Sequence, residues 1–500
     1  MKESEGGPGG RRAPLEMRPE EFRALGHALV DRIAGFLESL RARPVASGQD
    51  PATVRGRLGG GGLPERGASP AALLDEAARL VFENSVLPGH PRFLAYVVGS
   101  GAPIGALADL LAAAANQNVG AWHLAPMATE IEAQTVRWIG DLLGFPAGGG
   151  ILTSGGNMAN FVGFHAARHA KLPWDSRTSG LAAAGAPALR FYATAETHTW
   201  IHKAADLFGL GTDAIRWVAT DAELRMRTEE LERLIREDRA AGRLPFLVIA
   251  SAGTVSTGAV DPLPRIAEIA RREGLWLHVD GAYGGFAAGV PGAPEDLRGL
   301  ALADSIAVDP HKWLYAPLEA GCALVRDPTI LPATFEYRPP YYPPATDDGL
   351  IDYHSYGPQN SRGFRALKVW LGLRAAGREG YRAMIAEDMA LARRLFEAAQ
   401  RHPELDAGTL GLSITTFRYV PREMADPARR DDAYLDRLNA ALLERLQHGG
   451  EIFLSNAVLG GRFLLRSCVV NFRTSAADID AIPEIVARAG RALDREMRAG

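Results

Sequence analysis

The sequence predicts an α/β fold in which a mostly parallel sheet is covered by helices, with a helical extension before it and a smaller α+β unit after it. Three observations lead there. Short apolar runs alternate with amphipathic helical patterns through the middle of the chain. The 500 residues exceed one ordinary domain, for which about 150 is usual. A hydrophobic fraction of 47% against 23% charged supplies enough material for a core in each part.

Residues 1–85 form the extension. Met1–Pro14 is polar and Gly-rich with no apolar core segment, so it does not read as a secretory signal. From Pro19 to Leu40, Phe22, Leu25, Leu29, Ile33, Phe36 and Leu40 recur at three- and four-residue spacing, the mark of an amphipathic helix. The run Gly59–Gly62 has no strand before it and no Lys-Ser or Lys-Thr after it, which makes it a linker rather than a phosphate loop. A second helix over Pro70–Glu83 starts behind Ser69 with proline in its first turn. Two helices with so little core of their own are expected to pack on something, typically a second subunit.

Residues 86–377 are expected to form the large domain. Leu189–Ala193, Phe246–Ala250, Leu275–Val279, Ser305–Val308 and Gly321–Val325 read as buried strands. Helices over Asn157–His169, Thr199–Leu207, Glu229–Arg239 and Leu263–Arg272 alternate with them, which calls for parallel pairing. Residues 378–500 follow as a small α+β domain, with a long helix near Tyr381–Arg401, strands near Ser413–Tyr419 and Leu464–Phe472, and a closing helix over Ala477–Met497.

Composition excludes several classes. Net charge is −4, with 55 basic and 59 acidic residues interspersed, so no basic surface offers itself to nucleic acid or an anionic membrane. Cys322 and Cys468 are too few for a disulfide scaffold or a cysteine metal site. The most apolar stretch, Gly105–Ala115, is interrupted by Asp109 and falls short of the ~20 residues of a membrane span. The expectation is a soluble, cytoplasmic chain.

Chemistry is sought beyond the carboxyl ends of the strands, where parallel sheets gather ligands. Thr153-Ser-Gly-Gly-Asn157 stands ahead of a helix, either as a capped turn or as a cradle whose glycines and free N–H groups receive a phosphate. Asp280 closes a buried strand, as a helix cap or as a carboxylate facing a protonated ring nitrogen. Lys312, in Asp309-Pro-His-Lys-Trp313, either reaches the surface or is used covalently. His198, in Glu196-Thr-His-Thr-Trp200, is a core filler, a base or a stacking ring. Together a phosphate cradle, a strand-end acid and a strand-end lysine match one cofactor, pyridoxal 5'-phosphate. Metalloprotease, serine-hydrolase, Walker and Rossmann motifs are missing from the chain.

At these residues the chain resembles the group II pyridoxal-phosphate-dependent amino-acid decarboxylases, which include aromatic-L-amino-acid decarboxylases. His278-Val-Asp-Gly-Ala-Tyr283 is similar to the family's H-V-D-A-A-Y, and Asp309-Pro-His-Lys-Trp313 to its (N/D)-P-H-K-W. Leu107-Ala-Asp109, Trp122 and Pro126 through Thr129-Glu130 resemble its L-A-D, W, S-P and T-E-L-E block. The resemblance implies the fold-type I, aspartate-aminotransferase-like architecture and a homodimer with shared active sites.

Residue by residue, the resemblance makes Lys312 the Schiff-base lysine and Asp280 the partner of the pyridinium nitrogen. His198 stacks on one ring face with Ala282 beneath the other, Gly156 and Asn157 hold the phosphate, and Thr254 touches the cofactor. His311 orients substrate or relays a proton. Asp309 is a departure wherever the family has Asn, because an ionised carboxylate repels phosphate unless it faces away or a donor intervenes. The proton donor to the α-carbon is expected on the loop Phe335–Gly349, at Tyr341 with Tyr342 as the alternative. Tyr there, rather than Phe, favours decarboxylation over aldehyde synthesis.

The substrate wall is expected from Tyr96 to Gly99 and from Gly120 to Leu124, including Trp122 and His123. Gly120-Ala121 leaves room for a ring as large as indole, while His123 offers itself to a polar side chain. An aromatic amino acid is the expected substrate. Rival activities on the same scaffold are acidic amino-acid decarboxylation, aldehyde synthesis and transamination. A non-enzymatic rival is a pyridoxal-phosphate-binding regulator, disfavoured by the lack of a basic recognition helix.

Overall fold

The computed structural model describes residues 13–181, 185–338 and 349–499. Its core is a seven-stranded sheet of order β1-β7-β6-β5-β4-β2-β3. The strands are β1 Gly149–Thr153, β2 Leu189–Thr194, β3 Ile215–Val218, β4 Leu244–Ser251, β5 Trp276–Asp280, β6 Ser305–Val308 and β7 Gly321–Val325. The run β6-β5-β4-β2-β3 is parallel throughout, and β7 is antiparallel to both β6 and β1. Strands buried on both faces need continuous apolar runs, and β5 and β6 are buried at every residue.

Register decides where the polar ends fall. Ser251 of β4 pairs with Asp280 of β5, and Asp280 pairs with Ala307 of β6, so three strands end level. On the far side Thr153 of β1 pairs with Gly321, where the antiparallel β7 begins. The segments leaving β1, β2, β4, β5 and β6 therefore emerge along one edge.

Beneath that edge, Glu132 and Arg362 form a fully buried ion pair. Glu132 Oε1 accepts from the Leu152 N–H at 3.0 Å, and Arg362 donates to the Leu152 carbonyl at 2.8 Å. Both main-chain groups of that β1 residue are thus held by charge, which steadies the turn that follows.

The small sheet is antiparallel, of order β10-β11-β9-β8, with β8 Leu405–Gly411, β9 Ile414–Tyr419, β10 Ser455–Leu459 and β11 Arg462–Cys468. The helix Ala366–Arg401 joins the two sheets and breaks at Gly377, whose φ of 65° and ψ of 174° are open to glycine at little cost. Its second half carries Asp388, a buried carboxylate that accepts from Trp313 Nε1 at 2.8 Å and from the Tyr315 hydroxyl at 2.7 Å. The aromatic residues that follow Lys312 are thereby tied to the second half of this helix.

In the extension, the helices Pro19–Ser39 and Pro70–Asn84 meet through Phe36 stacked on Phe82 at 4.2 Å and through the Arg32–Asp75 ion pair. Phe22, Leu73 and Val81 remain exposed, so the pair has an uncovered apolar face. The closing helix predicted over Ala477–Met497 is two helices, Ala476–Asp480 and Ile482–Ala499. Cys322 and Cys468 are free and buried. Among the described residues no helix is long and apolar enough to cross a membrane.

Burial raises the pKa of Asp388 to about 7, against hydrogen bonds from Tyr315 and Trp313 that lower it. The folded protein thus keeps this proton at pH values where the unfolded chain has released it. The stabilisation is complete below the ordinary value of 3.8 and is lost as pH rises towards about 7, at up to ~1.4 kcal/mol per pH unit. Asp388→Asn keeps an acceptor for both donors and does not titrate. Wild type should therefore lose stability relative to this variant between pH 5 and 7.5, measured by apparent Tm; parallel profiles would refute the assignment.

Candidate active site

A cavity of about 320 Å³ opens at the carboxyl edge of the large sheet. It is lined by the ends of five strands, and the structure brings Gly156, Asn157, His198, Thr254, Asp280, Ala282, Asp309, His311 and Lys312 together on its walls. Residues more than 150 apart in sequence meet here because parallel strands share one exit edge.

At one end the helix Gly156–Lys171 presents its N-terminus, with Gly155 as cap residue at φ 119°. A side chain at Gly156 would come within 2.7 Å of Asp309 Oδ2 and 3.3 Å of the Ala282 methyl, so only glycine lets the backbone lie this close. Free N–H groups and the helix dipole make this end a seat for an anion.

Asp280 is buried at the floor. Its Oδ1 accepts from the Ala282 N–H at 3.1 Å and its Oδ2 from Trp200 Nε1 at 2.7 Å. Behind it His278, wholly buried, lies 2.7 Å from Asn160 Oδ1 and 2.8 Å from Ser305 Oγ. An amide oxygen only accepts, which assigns the proton to Nε2. Burial holds the pKa of this ring down to about 4, so it is neutral at ordinary pH.

Lys312 Nζ lies 3.0 Å from Asp309 Oδ2. Among the described residues Asp309 Oδ1 is buried without a hydrogen-bond partner, and His311 Nε2 is 3.6 Å from Oδ2. As an ionised carboxylate Asp309 offers phosphate no donor; it faces the lysine. Asp309, expected among the cofactor-binding residues, does line the cavity, where it contacts Lys312. His311 Nδ1 lies 2.7 Å from the Ala320 carbonyl oxygen and 3.2 Å from the Ala320 N–H, so one residue holds the ring from both its main-chain groups. Burial lowers the pKa of His311, opposed by Asp309. His198 lies open across the cavity mouth, yet the protein behind it lowers its pKa through desolvation, and its Nδ1 accepts from the Trp200 N–H at 3.3 Å. Thr254 Oγ1 pairs with Thr257 Oγ1 at 3.0 Å and accepts from the Ala259 N–H, which stiffens the wall opposite.

The residues expected to meet substrate are placed differently. Tyr96, Gly99, Trp122 and His123 do not line this cavity. Tyr96 has φ 55°, its carbonyl held by buried Arg466 at 3.0 Å and its ring mostly exposed. Gly99 packs on the lysine turn instead, where a Cβ would lie 2.4 Å from the Lys312 carbonyl oxygen. Trp122 donates to Glu130 at 3.0 Å, and His123 is exposed. Tyr341 and Tyr342 lie outside the described residues. Val97, within the stretch expected to wall the substrate, does line the cavity, whereas sequence reasoning passed over Asn160 and Glu196, which line it too. Burial raises the pKa of Glu196. Glu196 and Trp200 stood in the quoted His198 segment, but nothing in their spacing says which way they point.

An anion seat, a lysine, a strand-end carboxylate and a ring at the mouth fit pyridoxal phosphate in donor type and position. Residues 62–418 match the model of the pyridoxal-dependent decarboxylase conserved domain. The chain belongs to that family. Pyridoxal phosphate is its cofactor and amino-acid decarboxylation its chemistry. The decarboxylase is 34% identical over 469 residues to an aromatic-L-amino-acid decarboxylase of Bacillus atrophaeus, covering 93% of this chain and 94% of that one. It is 31% identical to tyrosine decarboxylase 2 of Arabidopsis thaliana, over 91% of this chain and 85% of that one. Among solved structures, Oryza sativa TDC with PLP and tryptamine superposes at a TM-score of 0.89 and 28% identity, covering 97% of this chain and all of the other.

Lys312→Ala should abolish both the Schiff-base absorbance of the cofactor-loaded decarboxylase and its turnover; intact turnover would remove Lys312 from the chemistry. Asp280→Ala should retain part of the cofactor and lose most activity, with rates measured at saturating cofactor. Wild-type rates in that variant would show that the carboxylate has no part in the reaction.

Proposed function

We propose that this chain decarboxylates an aromatic L-amino acid to its amine and CO₂. The observation that carries the substrate class is the charge of the cavity wall. Among the described lining residues Lys312 is the one lysine or arginine, and it stands with the carboxylates of Glu196, Asp280 and Asp309. An acidic substrate side chain would find no second cation to pair with, whereas an aromatic ring needs none and meets Val97 and Val255. The relatives named for aromatic amino acids and tyrosine, and the structure that holds tryptamine, support the same class.

Pyridoxal phosphate, when bound, supplies an electron-accepting ring that takes up the charge left at the α-carbon as CO₂ departs. Everything else falls to the chain's own residues. The N–H groups at Gly156 and Asn157 bind the phosphate end. Lys312 Nζ, oriented by Asp309 Oδ2 at 3.0 Å, would hold the aldehyde end. Asp280 holds a proton on the ring nitrogen. His198 would orient the ring from the cavity mouth, where desolvation lowers its pKa.

We read the assembly as a homodimer with shared sites. The exposed apolar face of the extension calls for a partner, and Trp122 and His123, which do not line their own cavity, can meet substrate from a neighbouring copy. The test pairs two measurements. Cofactor-loaded protein is offered the common L-amino acids and DOPA, with CO₂ and product identified. Amine from Trp, Tyr, Phe or DOPA, and none from Glu or Asp, is expected; aldehyde or keto acid as the main product would overturn the reading. Sedimentation should give twice the chain mass, and a monomer that is fully active would overturn the shared site.

A further inference from the structure

Trp200 has no role in the chemistry described so far, yet its indole hydrogen-bonds the acid on the floor of the cavity. It is wholly buried in the first turn of the helix Trp200–Leu207. Its ring is held edge-on by Phe164 at 6.4 Å and Phe161 at 6.5 Å, and it stands 5.9 Å from His278. From there Nε1–H donates to Asp280 Oδ2 at 2.7 Å. The same residue's backbone N–H donates to His198 Nδ1 at 3.3 Å. One residue thus touches both the acid on the floor and the ring at the mouth.

The chemistry of the donor matters. An indole N–H donates and never accepts, and it does not titrate in the working range. A buried carboxylate needs hydrogen bonds to remain an anion. An arginine or lysine in this place would also neutralise it and compete with the cofactor's ring nitrogen for its charge. A neutral donor pins one oxygen and leaves the charge uncancelled. With Oδ1 held by the Ala282 N–H, the carboxylate is fixed at both oxygens, and its remaining lone pairs are what a ligand in the cavity can use.

We propose that Trp200 is a positioning residue that orients the Asp280 carboxylate towards the cofactor's ring nitrogen. This rests on the reading that Asp280 meets that nitrogen, and the test separates the two. The probes are pyridoxal phosphate and its analogue with C–H in place of the ring nitrogen, and the readout is the dissociation constant of each from apo-protein by equilibrium dialysis. Wild type should prefer the natural cofactor. Trp200→Phe should cut that preference roughly tenfold, the scale of one hydrogen bond to a buried charge, and leave affinity for the analogue nearly unchanged.

Equal losses for both ligands would mean that Trp200 only packs, and would overturn the proposal. Asp280→Ala provides the reference. A preference that survives Asp280→Ala refutes the meeting of acid and ring nitrogen, and the proposal with it. A preference abolished by Asp280→Ala but kept in Trp200→Phe refutes the role of Trp200 alone. Should Trp200→Phe fail to fold, benzothienylalanine at position 200 keeps the bicyclic shape and removes the donor, and the same ratio decides.

Discussion

The level ending of β4, β5 and β6 is the constraint on which the site depends. Parallel pairing sets Ser251, Asp280 and Ala307 in register, so the segments that follow them open into one space. A shift of one residue would turn Asp280 to the opposite face of the sheet. The antiparallel β7 reinforces the same edge by starting at Gly321, packed on the backbone of Gly155 so closely that a Cβ would lie 2.4 Å from its carbonyl carbon. Glycine is needed at both sides of that contact for different reasons, closeness at Gly321 and a φ of 119° at Gly155.

Within this edge the charges are arranged unequally. Three carboxylates line the cavity beside one lysine. The histidines do not redress the balance, since burial lowers the pKa of His198, His278 and His311. A cavity built this way has unmet demand for positive charge on its floor and for a donor-bound anion at its glycine end. A ring that is protonated at one end and phosphorylated at the other answers both demands.

The support behind the site comes from distant parts of the chain. Asp388 reaches from beyond the Gly377 break to Trp313 and Tyr315, just after Lys312, and Arg362 reaches back to the strand before the glycine turn. Arg362 and Glu132 are wholly buried, where loss of one partner costs about 3–5 kcal/mol. Such pairs hold loops to strands in one arrangement, which a site assembled from five separate segments requires.

Periodicity and apolar runs determined the central elements. β2, β4, β5, β6 and β7 in the large sheet and β9 and β11 in the small one stand where their sequences predict them. The strands left unread are β1, β3, β8 and β10, and each is an edge of its sheet. An edge strand is paired on one side only, so its sequence need not be a continuous apolar run: β8 carries two glycines and an aspartate, and β10 alternates buried with exposed. The cofactor's chemistry was legible for a related reason, since glycine, lysine and strand-end aspartate are each demanded by local backbone or covalent need. Direction was left to tertiary structure. What Asp309 meets between the anion seat and Lys312, whether Trp122 lines the cavity, and which donor holds Asp280 depend on contacts between segments far apart in the chain, and spacing along one segment carries no record of them.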